Sequence, residues 1–202
     1  MNHRLRVQSG NLLTGLRVVL TPAFVAAVWF ADTVSVLRLA SGLLFLVIAA
    51  TDVWDGRLAR RYGHVSNTGR TFDHLADIGF ILCALSTYAF RSQVPWWVPA
   101  AVGVSFAFYV FDSRVRGSAG APTLIGSRIG HVAGICNYSL VGVLVFNNTA
   151  AIHLLPPEIL GRLFWLVPLY SAAAVFSRAV ARGPRQFHSE PERFAALSRE
   201  KR

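Results

Sequence analysis

The stretch 52–77, DVWDGRLARRYGHVSNTGRTFDHLAD, is a polar segment between two apolar ones. It follows the run SGLLFLVIAAT and leads directly into IGFILCALSTYAF. Its four aspartates form two pairs, Asp52 with Asp55 and Asp73 with Asp77, spaced by three and by four residues. Residues at these spacings share one face of a helix. Because both flanks are typical of membrane-spanning helices, the stretch predicts two helix ends joined by a polar turn at a membrane face.

The whole chain has the composition of a multi-pass membrane protein. Of its 202 residues, 53% are hydrophobic and 15% are charged, whereas about a quarter of a soluble domain is charged. Hydrocarbon offers no partner to free peptide groups, so apolar runs of this length must be helical. We therefore expect an all-α fold with a six-helix transmembrane domain over 1–181 and a basic cytoplasmic tail over 182–202. The predicted spans are 12–31, 37–55, 72–90, 95–112, 129–147 and 159–181.

The positive charge of the chain predicts its orientation in the membrane. The net charge is +10, but the arginines lie between apolar runs and in the tail, which indicates membrane topology rather than nucleic-acid binding. With both termini cytoplasmic, 16 basic residues lie on the cytoplasmic side. The opposite side then holds only Arg38, Arg91 and Arg162. This asymmetry favours cytoplasmic termini and places the stretch 52–77 at the cytoplasmic face.

A cluster of four carboxylates in this position requires protons, cationic partners or metal ions. Carboxylate oxygens suit a hard cation such as Mg²⁺ or Mn²⁺. The neighbouring arginines could instead make the segment an ion-paired helix junction. Small residues on the carboxylate side, Gly56, Ala59 and Gly69, favour close approach of a ligand, and Arg60 could contact a phosphate. The combination is what phosphoryl transfer requires.

The same stretch resembles the motif of the CDP-alcohol phosphotransferase (CDP-alcohol phosphatidyltransferase) family, class I, which reads D-x2-D-G-x2-A-R-x8-G-x3-D-x3-D. All eight fixed positions are filled, and six predicted spans agree with the architecture of the family. The residues at the fixed positions are Asp52, Asp55, Gly56, Ala59, Arg60, Gly69, Asp73 and Asp77.

The resemblance implies a reaction and roles for these residues. A CDP-linked lipid, usually CDP-diacylglycerol, would bind with its pyrophosphate on one or two Mg²⁺ or Mn²⁺ ions, most simply two. An alcohol acceptor would attack, and CMP would leave. Asp77 would be the catalytic base, and the family also implies a homodimer. The implied metal ligands are Asp52, Asp55, Asp73 and Asp77, and the implied contacts to the CDP-lipid are Gly56, Ala59, Arg60, Ser66, Gly69, Thr14 and Arg17.

The segment that would select the acceptor follows the fourth span. SRIGHVAG, residues 127–134, is similar to the S-x-x-G-K-x-x-T stretch of the phosphatidylglycerophosphate and cardiolipin synthase branch, with His131 and Gly134 as departures. Arginines here suit a phosphorylated acceptor such as glycerol 3-phosphate, with inositol phosphate or another polyol as alternatives. The predicted acceptor residues are Arg114, Arg116, Arg128 and His131.

Two further patterns follow in the same region. Gly126, Gly130 and Gly134 are spaced by four, which predicts close helix packing. Asn137, Tyr138 and Ser139 form a polar patch in the fifth span that lines a cavity or bonds to a neighbouring helix.

Other classes of protein share part of this pattern. A Mg²⁺-dependent polyprenyl transferase also uses aspartate pairs, but this class of enzyme does not explain why Asp is followed directly by Gly and Ala by Arg. A cation carrier would place acids near mid-membrane, and a non-catalytic scaffold would not need the complete set of acids. The leading hypothesis is a phosphatidyltransferase of the cell (inner) membrane, in contact with membrane lipid and with its site at the cytoplasmic face.

Overall fold

The computed structural model describes residues 3–62, 67–116, 128–149 and 155–180. Within these ranges the side chains of 3–13, 55–62, 67, 68, 70, 116 and 128 are not described. The described residues form six α-helices, which confirms the all-helical fold class. The helices are α1 (His3–Trp29), α2 (Ser35–Tyr62), α3 (Asn67–Phe90), α4 (Trp97–Arg116), α5 (Arg128–Thr149) and α6 (Pro157–Val180).

Each predicted apolar run coincides with one of these helices, but several helices continue past the run at their polar end. α2 continues through Arg57 and Arg61 to Tyr62, and α4 continues to Arg116. Hydropathy measures the part of a helix that matches hydrocarbon, whereas helix formation continues through alanine, arginine and leucine, which are good helix formers in any solvent.

Four of the helices in the described ranges are long and apolar enough to cross a membrane, over Ser35–Trp54, Trp97–Val115, Ile129–Thr149 and Pro157–Val180. The part of α1 whose side chains are described, Thr14–Trp29, is also apolar. Asp73 and Asp77 lie in the first three turns of α3 and lower its hydropathy. The protein is therefore a membrane protein by its apolar helices. The six spans and their orientation stay predictions.

α3 is the central helix of the bundle. It packs against α1, α4 and α5, while α2 contacts α1 and α5, and α6 contacts α4 and α5. Phenylalanines from the first three helices meet at the centre: the Phe24 and Phe80 ring centroids are 5.2 Å apart, and those of Phe45 and Phe80 are 6.4 Å apart. Valines of α5, Val141 and Val145, complete this core.

Aromatic side chains gather at the end of the bundle where α1 and α3 end and α4 begins. Phe90 stacks edge-on against Trp96 at 4.5 Å and lies 6.3 Å from Trp29. The ring of Trp97, at the start of α4, lies 4.9 Å from the ring of Trp165 in the third turn of α6. Tryptophan is enriched at membrane–water interfaces. This aromatic end therefore indicates one membrane surface.

Two glycines in the described helices allow close approach of a neighbouring side chain. A Cβ at Gly142 would lie 3.0 Å from Cζ of Phe45, and a Cβ at Gly42 would lie 3.2 Å from the side chain of Thr149. Gly134, which the spacing of four predicted to be a packing residue, would meet nothing within 4 Å. The contact between α2 and α5 therefore depends on Gly142, and the prediction for Gly134 is wrong within the described chain.

We expect Gly142→Ala to lower the thermal stability of the protein in detergent, at a cost of about 1–3 kcal/mol, because Phe45 is enclosed by other rings and cannot move freely. Gly134→Ala is the matched control on the same helix. It should be neutral or slightly stabilising, because it adds helix propensity without a clash. Thermal unfolding of the two variants side by side measures the difference. Equal midpoints would contradict the packing role of Gly142.

Candidate active site

Three aspartates converge at the end of the bundle opposite the aromatic end. Asp52 lies near the end of the apolar part of α2, and Asp73 and Asp77 lie one turn apart near the start of α3. One carboxylate oxygen of each lies within 4.8 Å of the others. The side chains are 40%, 31% and 25% exposed, so the cluster is partly open. Asp52 lies on α2, and Asp73 and Asp77 lie on α3, so two consecutive helices bring the acids together.

Arg17 of α1 lies at the centre of this cluster. Its guanidinium is fully buried and forms ion pairs with all three carboxylates. Nη2 lies 3.2 Å from Oδ1 of Asp52, and Nη1 contacts Oδ1 of Asp73 at 3.2 Å and also Oδ1 of Asp77. Thr14, one turn earlier on α1, donates from Oγ1 to Oδ1 of Asp73 at 3.2 Å. α1 therefore supplies the positive charge that lets the three acids stand together.

The chemistry of the three acids fits a divalent cation. All donors are carboxylate oxygens, which hard cations prefer. With the three carboxylates ionised, Arg17 cancels one of three negative charges and leaves two, which is the charge that one Mg²⁺ or Mn²⁺ neutralises. Asp52, Asp73 and Asp77 are therefore the described residues that would hold such an ion.

An aromatic floor lies under the cluster on the side of the bundle core. The ring of Tyr138, on α5, lies 5.5 Å from Phe80 and 5.8 Å from Phe45. Phe80 is one turn beyond Asp77 along α3, and Tyr138 interacts electrostatically with Arg17 and the carboxylates. The charged groups are thus separated from the core by rings, and such a low-dielectric surface strengthens their interactions.

The comparisons with known proteins agree with this arrangement. A family model described as CDP-alcohol phosphatidyltransferase matches residues 8–176, which is most of the chain and includes the site. The chain belongs to this family.

Two bacterial relatives show the same similarity over part of their length. A probable phosphatidylglycerophosphate synthase of Mycobacterium tuberculosis (strain ATCC 25618 / H37Rv) is 36% identical over 89 residues, covering 44% of this chain and 43% of the relative. The CDP-diacylglycerol--glycerol-3-phosphate 3-phosphatidyltransferase of Escherichia coli (strain K12) is 36% identical over 108 residues, covering 52% of this chain and 57% of the relative. The chain thus spans about half the length of the curated relatives it matches.

The structure brings together some of the site residues predicted for a CDP-alcohol phosphatidyltransferase. Thr14, Arg17, Asp52, Asp73 and Asp77 form the contacts given above. Gly69 lies in the first turn of α3, one turn before Asp73. The remaining motif residues lie where the structure does not describe them: Asp55, Gly56, Ala59 and Arg60 belong to α2 without described side chains, and Ser66 is outside the described residues.

The predicted acceptor residues are placed less completely. His131 is exposed near the start of α5 and lies within electrostatic range of Asp52. Arg114 is exposed near the end of α4. The side chains of Arg116 and Arg128 are outside the described part of the chain. The acceptor assignments therefore stay predictions.

A buried ion pair between α4 and α6 was not predicted. Nη1 of Arg178 lies 3.1 Å from Oδ2 of Asp112, which is fully buried. The guanidinium carbon of Arg178 lies 4.2 Å over the ring of Tyr109, and that ring is 6.2 Å from His74 on α3. The sequence signal for this ion pair is Asp112 itself, because an acid at the end of an apolar run is usually paired or functional. The charge asymmetry instead treats Arg178 as one of the 16 basic residues on the cytoplasmic side.

We expect Arg178→Met to destabilise the protein by about 3–5 kcal/mol, because it leaves the Asp112 carboxylate buried without its guanidinium. Arg162→Met, an exposed arginine of the same helix, should leave the thermal midpoint nearly unchanged. The double variant Asp112→Leu/Arg178→Met should recover most of the loss, since no buried charge is then uncompensated. A thermal midpoint of Arg178→Met equal to that of wild type would show that the ion pair does not stabilise the protein to this extent.

Proposed function

We propose that the protein is a phosphatidyltransferase that moves the phosphatidyl group of CDP-diacylglycerol to an alcohol and releases CMP. The observation that carries the proposal is the contact of buried Arg17 with Asp52, Asp73 and Asp77, three residues at fixed positions of the family motif. A cation-binding set of carboxylates, an arginine and a partly open face are what phosphoryl transfer needs for positioning and charge stabilisation.

In this reaction Asp77 acts as the general base. Its side chain is 25% exposed, which leaves it accessible to an acceptor from the aqueous side. The acceptor hydroxyl oxygen forms a bond to the β-phosphorus of the donor, its proton passes to the Asp77 carboxylate, and the bond from that phosphorus to the bridging oxygen breaks. The electron pair of the broken bond leaves with CMP, so atoms and charge balance.

The other residues of the proposed site position the donor. Asp52, Asp73 and Asp77, together with Asp55, would hold Mg²⁺ or Mn²⁺, and two such ions would neutralise charge on the pyrophosphate oxygens when bound. Thr14 and Arg17 fix the carboxylates relative to one another from α1. Arg60, Gly56, Ala59, Ser66 and Gly69 are proposed to line the nucleotide and its phosphates, as the family motif implies.

The acceptor we propose is glycerol 3-phosphate. The support is the name of the Escherichia coli relative, which is a glycerol-3-phosphate 3-phosphatidyltransferase, and the basic residues Arg114, Arg116, Arg128 and His131 proposed above. The departures at His131 and Gly134 from the branch pattern make inositol phosphate or another polyol the alternative acceptor.

We further propose that all six helices span the cell (inner) membrane, with both termini and the site cytoplasmic. The 16-to-3 asymmetry of basic residues supports this orientation. Arg17 lies 12 residues before Trp29, so the site is about 18 Å along α1 from the aromatic end. With a hydrocarbon thickness of about 30 Å, the acids then lie in the cytoplasmic part of the membrane. The homodimer implied by the family stays a prediction.

The purified full chain in nanodiscs, given CDP-diacylglycerol and Mg²⁺, should release CMP with at least one member of a panel of glycerol 3-phosphate, inositol phosphate and unphosphorylated polyols. Asp77→Asn should lower kcat by about 100-fold or more, because the hydroxyl proton loses its acceptor. Mn²⁺ binding should be largely kept, because the amide oxygen and the other carboxylates remain.

Asp32→Asn is the matched control, since Asp32 is an exposed acid at the aromatic end. It should leave CMP release within twofold of wild type. Full activity of Asp77→Asn would overturn the base assignment. Failure of wild type to release CMP with every acceptor, while CDP-diacylglycerol still binds, would favour a scaffold.

The orientation can be tested with single cysteines in a Cys83→Ser/Cys136→Ala background. Thr33→Cys lies in the turn between α1 and α2, and Arg114→Cys lies near the end of α4; both positions are exposed. A membrane-impermeant maleimide added to intact cells should label the first and not the second, and permeabilised cells should label both. The reverse pattern would show that the site faces outward.

A further inference from the structure

Two hydrogen-bond donors beside the carboxylate cluster have no acceptor among the described residues. They are Nε of Arg17 and the hydroxyl of Tyr138, and both atoms are buried. Arg17 is fully buried, and its Nη atoms are engaged by the carboxylates while Nε is not. A buried donor without a partner has lost its hydrogen bonds to water, so buried donors in native proteins are nearly always paired. Two such donors beside one carboxylate cluster are explained by a partner that binds at this cluster.

The two donors belong to one place. The ring of Tyr138 packs on Phe80, one turn beyond Asp77 on α3, and Tyr138, Arg17 and the three carboxylates lie within electrostatic range of one another. The ring of Tyr138 is held against Phe45 and Phe80 on the core side. The packing of the ring thus fixes the phenol at the floor of the site, below the carboxylates.

The acceptor for these two donors is therefore an atom of a bound ligand. The carboxylates nearest to these donors are already engaged by Nη atoms of Arg17, and neither Nε nor the phenol reaches them. A ligand that fits must carry oxygens that bind cations, to match the acids, and further oxygens that accept hydrogen bonds. Phosphate groups have both properties, and arginine and hydroxyl donors bind them well.

We propose that Tyr138 is a substrate-binding residue, whose hydroxyl donates, together with Nε of Arg17, to a phosphate oxygen at the floor of the site. This inference rests on the proposed function and extends it to a residue outside the family motif. The phosphate is that of the CDP-linked donor rather than that of a phosphorylated acceptor. The donor is the substrate whose pyrophosphate the metal ions on Asp52, Asp73 and Asp77 would hold, and these carboxylates lie next to the floor.

Tyr138→Phe is a sharp test, because it keeps the ring against Phe45 and Phe80 and removes only the hydroxyl. Tyr109→Phe is the matched control. Its hydroxyl is also buried without a partner in the described chain, but its ring lies under Arg178 and not beside the three carboxylates. Thermal midpoints, KM for CDP-diacylglycerol, KM for the acceptor and kcat are measured for both variants in nanodiscs.

We expect Tyr138→Phe to raise KM for CDP-diacylglycerol roughly tenfold, the loss of one hydrogen bond to a charged group. The thermal midpoint and KM for the acceptor should stay close to wild type, and Tyr109→Phe should change none of these values. Donor affinity of Tyr138→Phe within twofold of wild type would overturn the proposal. A rise in KM for the acceptor alone would also overturn it, because the phosphate would then come from the other substrate.

A second measurement keeps the inference testable if the proposed reaction fails. Inorganic pyrophosphate with Mn²⁺ should raise the thermal midpoint of wild type, and Tyr138→Phe should show a clearly smaller rise. An equal rise in both would contradict the role of Tyr138. Absence of CMP release from wild type together with a Tyr138-dependent pyrophosphate shift would overturn the proposed function and leave this phosphate site standing.

Discussion

The contact of one buried arginine with three carboxylates is the constraint on which the rest of the structure depends. Arg17 comes from α1, Asp52 from α2 and Asp73 and Asp77 from α3, so the contact fixes the relative positions of three helices at one end of the bundle. Burying a charge without partners is costly, and removing either side of such a set leaves the other uncompensated. The same side chains therefore connect the three helices and carry the proposed function.

The hydrophobic core packs next to this contact between Arg17 and the carboxylates and holds it rigid. Phe24, Phe45 and Phe80 come from the same three helices and meet within one or two turns of the charged groups. Rings from neighbouring helices can pack at this depth because Gly142 of α5 lets Phe45 approach its backbone. The charged cluster thus lies on a dry and closely packed base. Charged groups held in place in this way need not rearrange when charge develops on a bound substrate.

The helices could be predicted well from the sequence, because the backbone of an apolar run of membrane length must form its hydrogen bonds internally, as a helix does. The aspartate pairs were also visible, since their spacing is a property of a single helix. Other features depend on which helices meet, and no local pattern contains that information. Arg178 is one of the 16 basic residues that the sequence assigns to the cytoplasmic side, but in the structure it pairs with Asp112 of another helix. Gly134 had the spacing of a packing residue, but the helix face that contacts α2 carries Gly142 instead.

The distribution of charged side chains among the helices explains the position of the site in the bundle. Arg17 comes from α1, and Asp73 and Asp77 come from the first three turns of α3. The two aspartates lower the hydropathy of α3, and packing of α3 against α1, α4 and α5 offsets this cost within the bundle. The four long apolar helices of the described chain can face hydrocarbon. A lipid substrate would then meet charged groups without leaving the membrane, while the partly exposed carboxylates stay open to a polar acceptor.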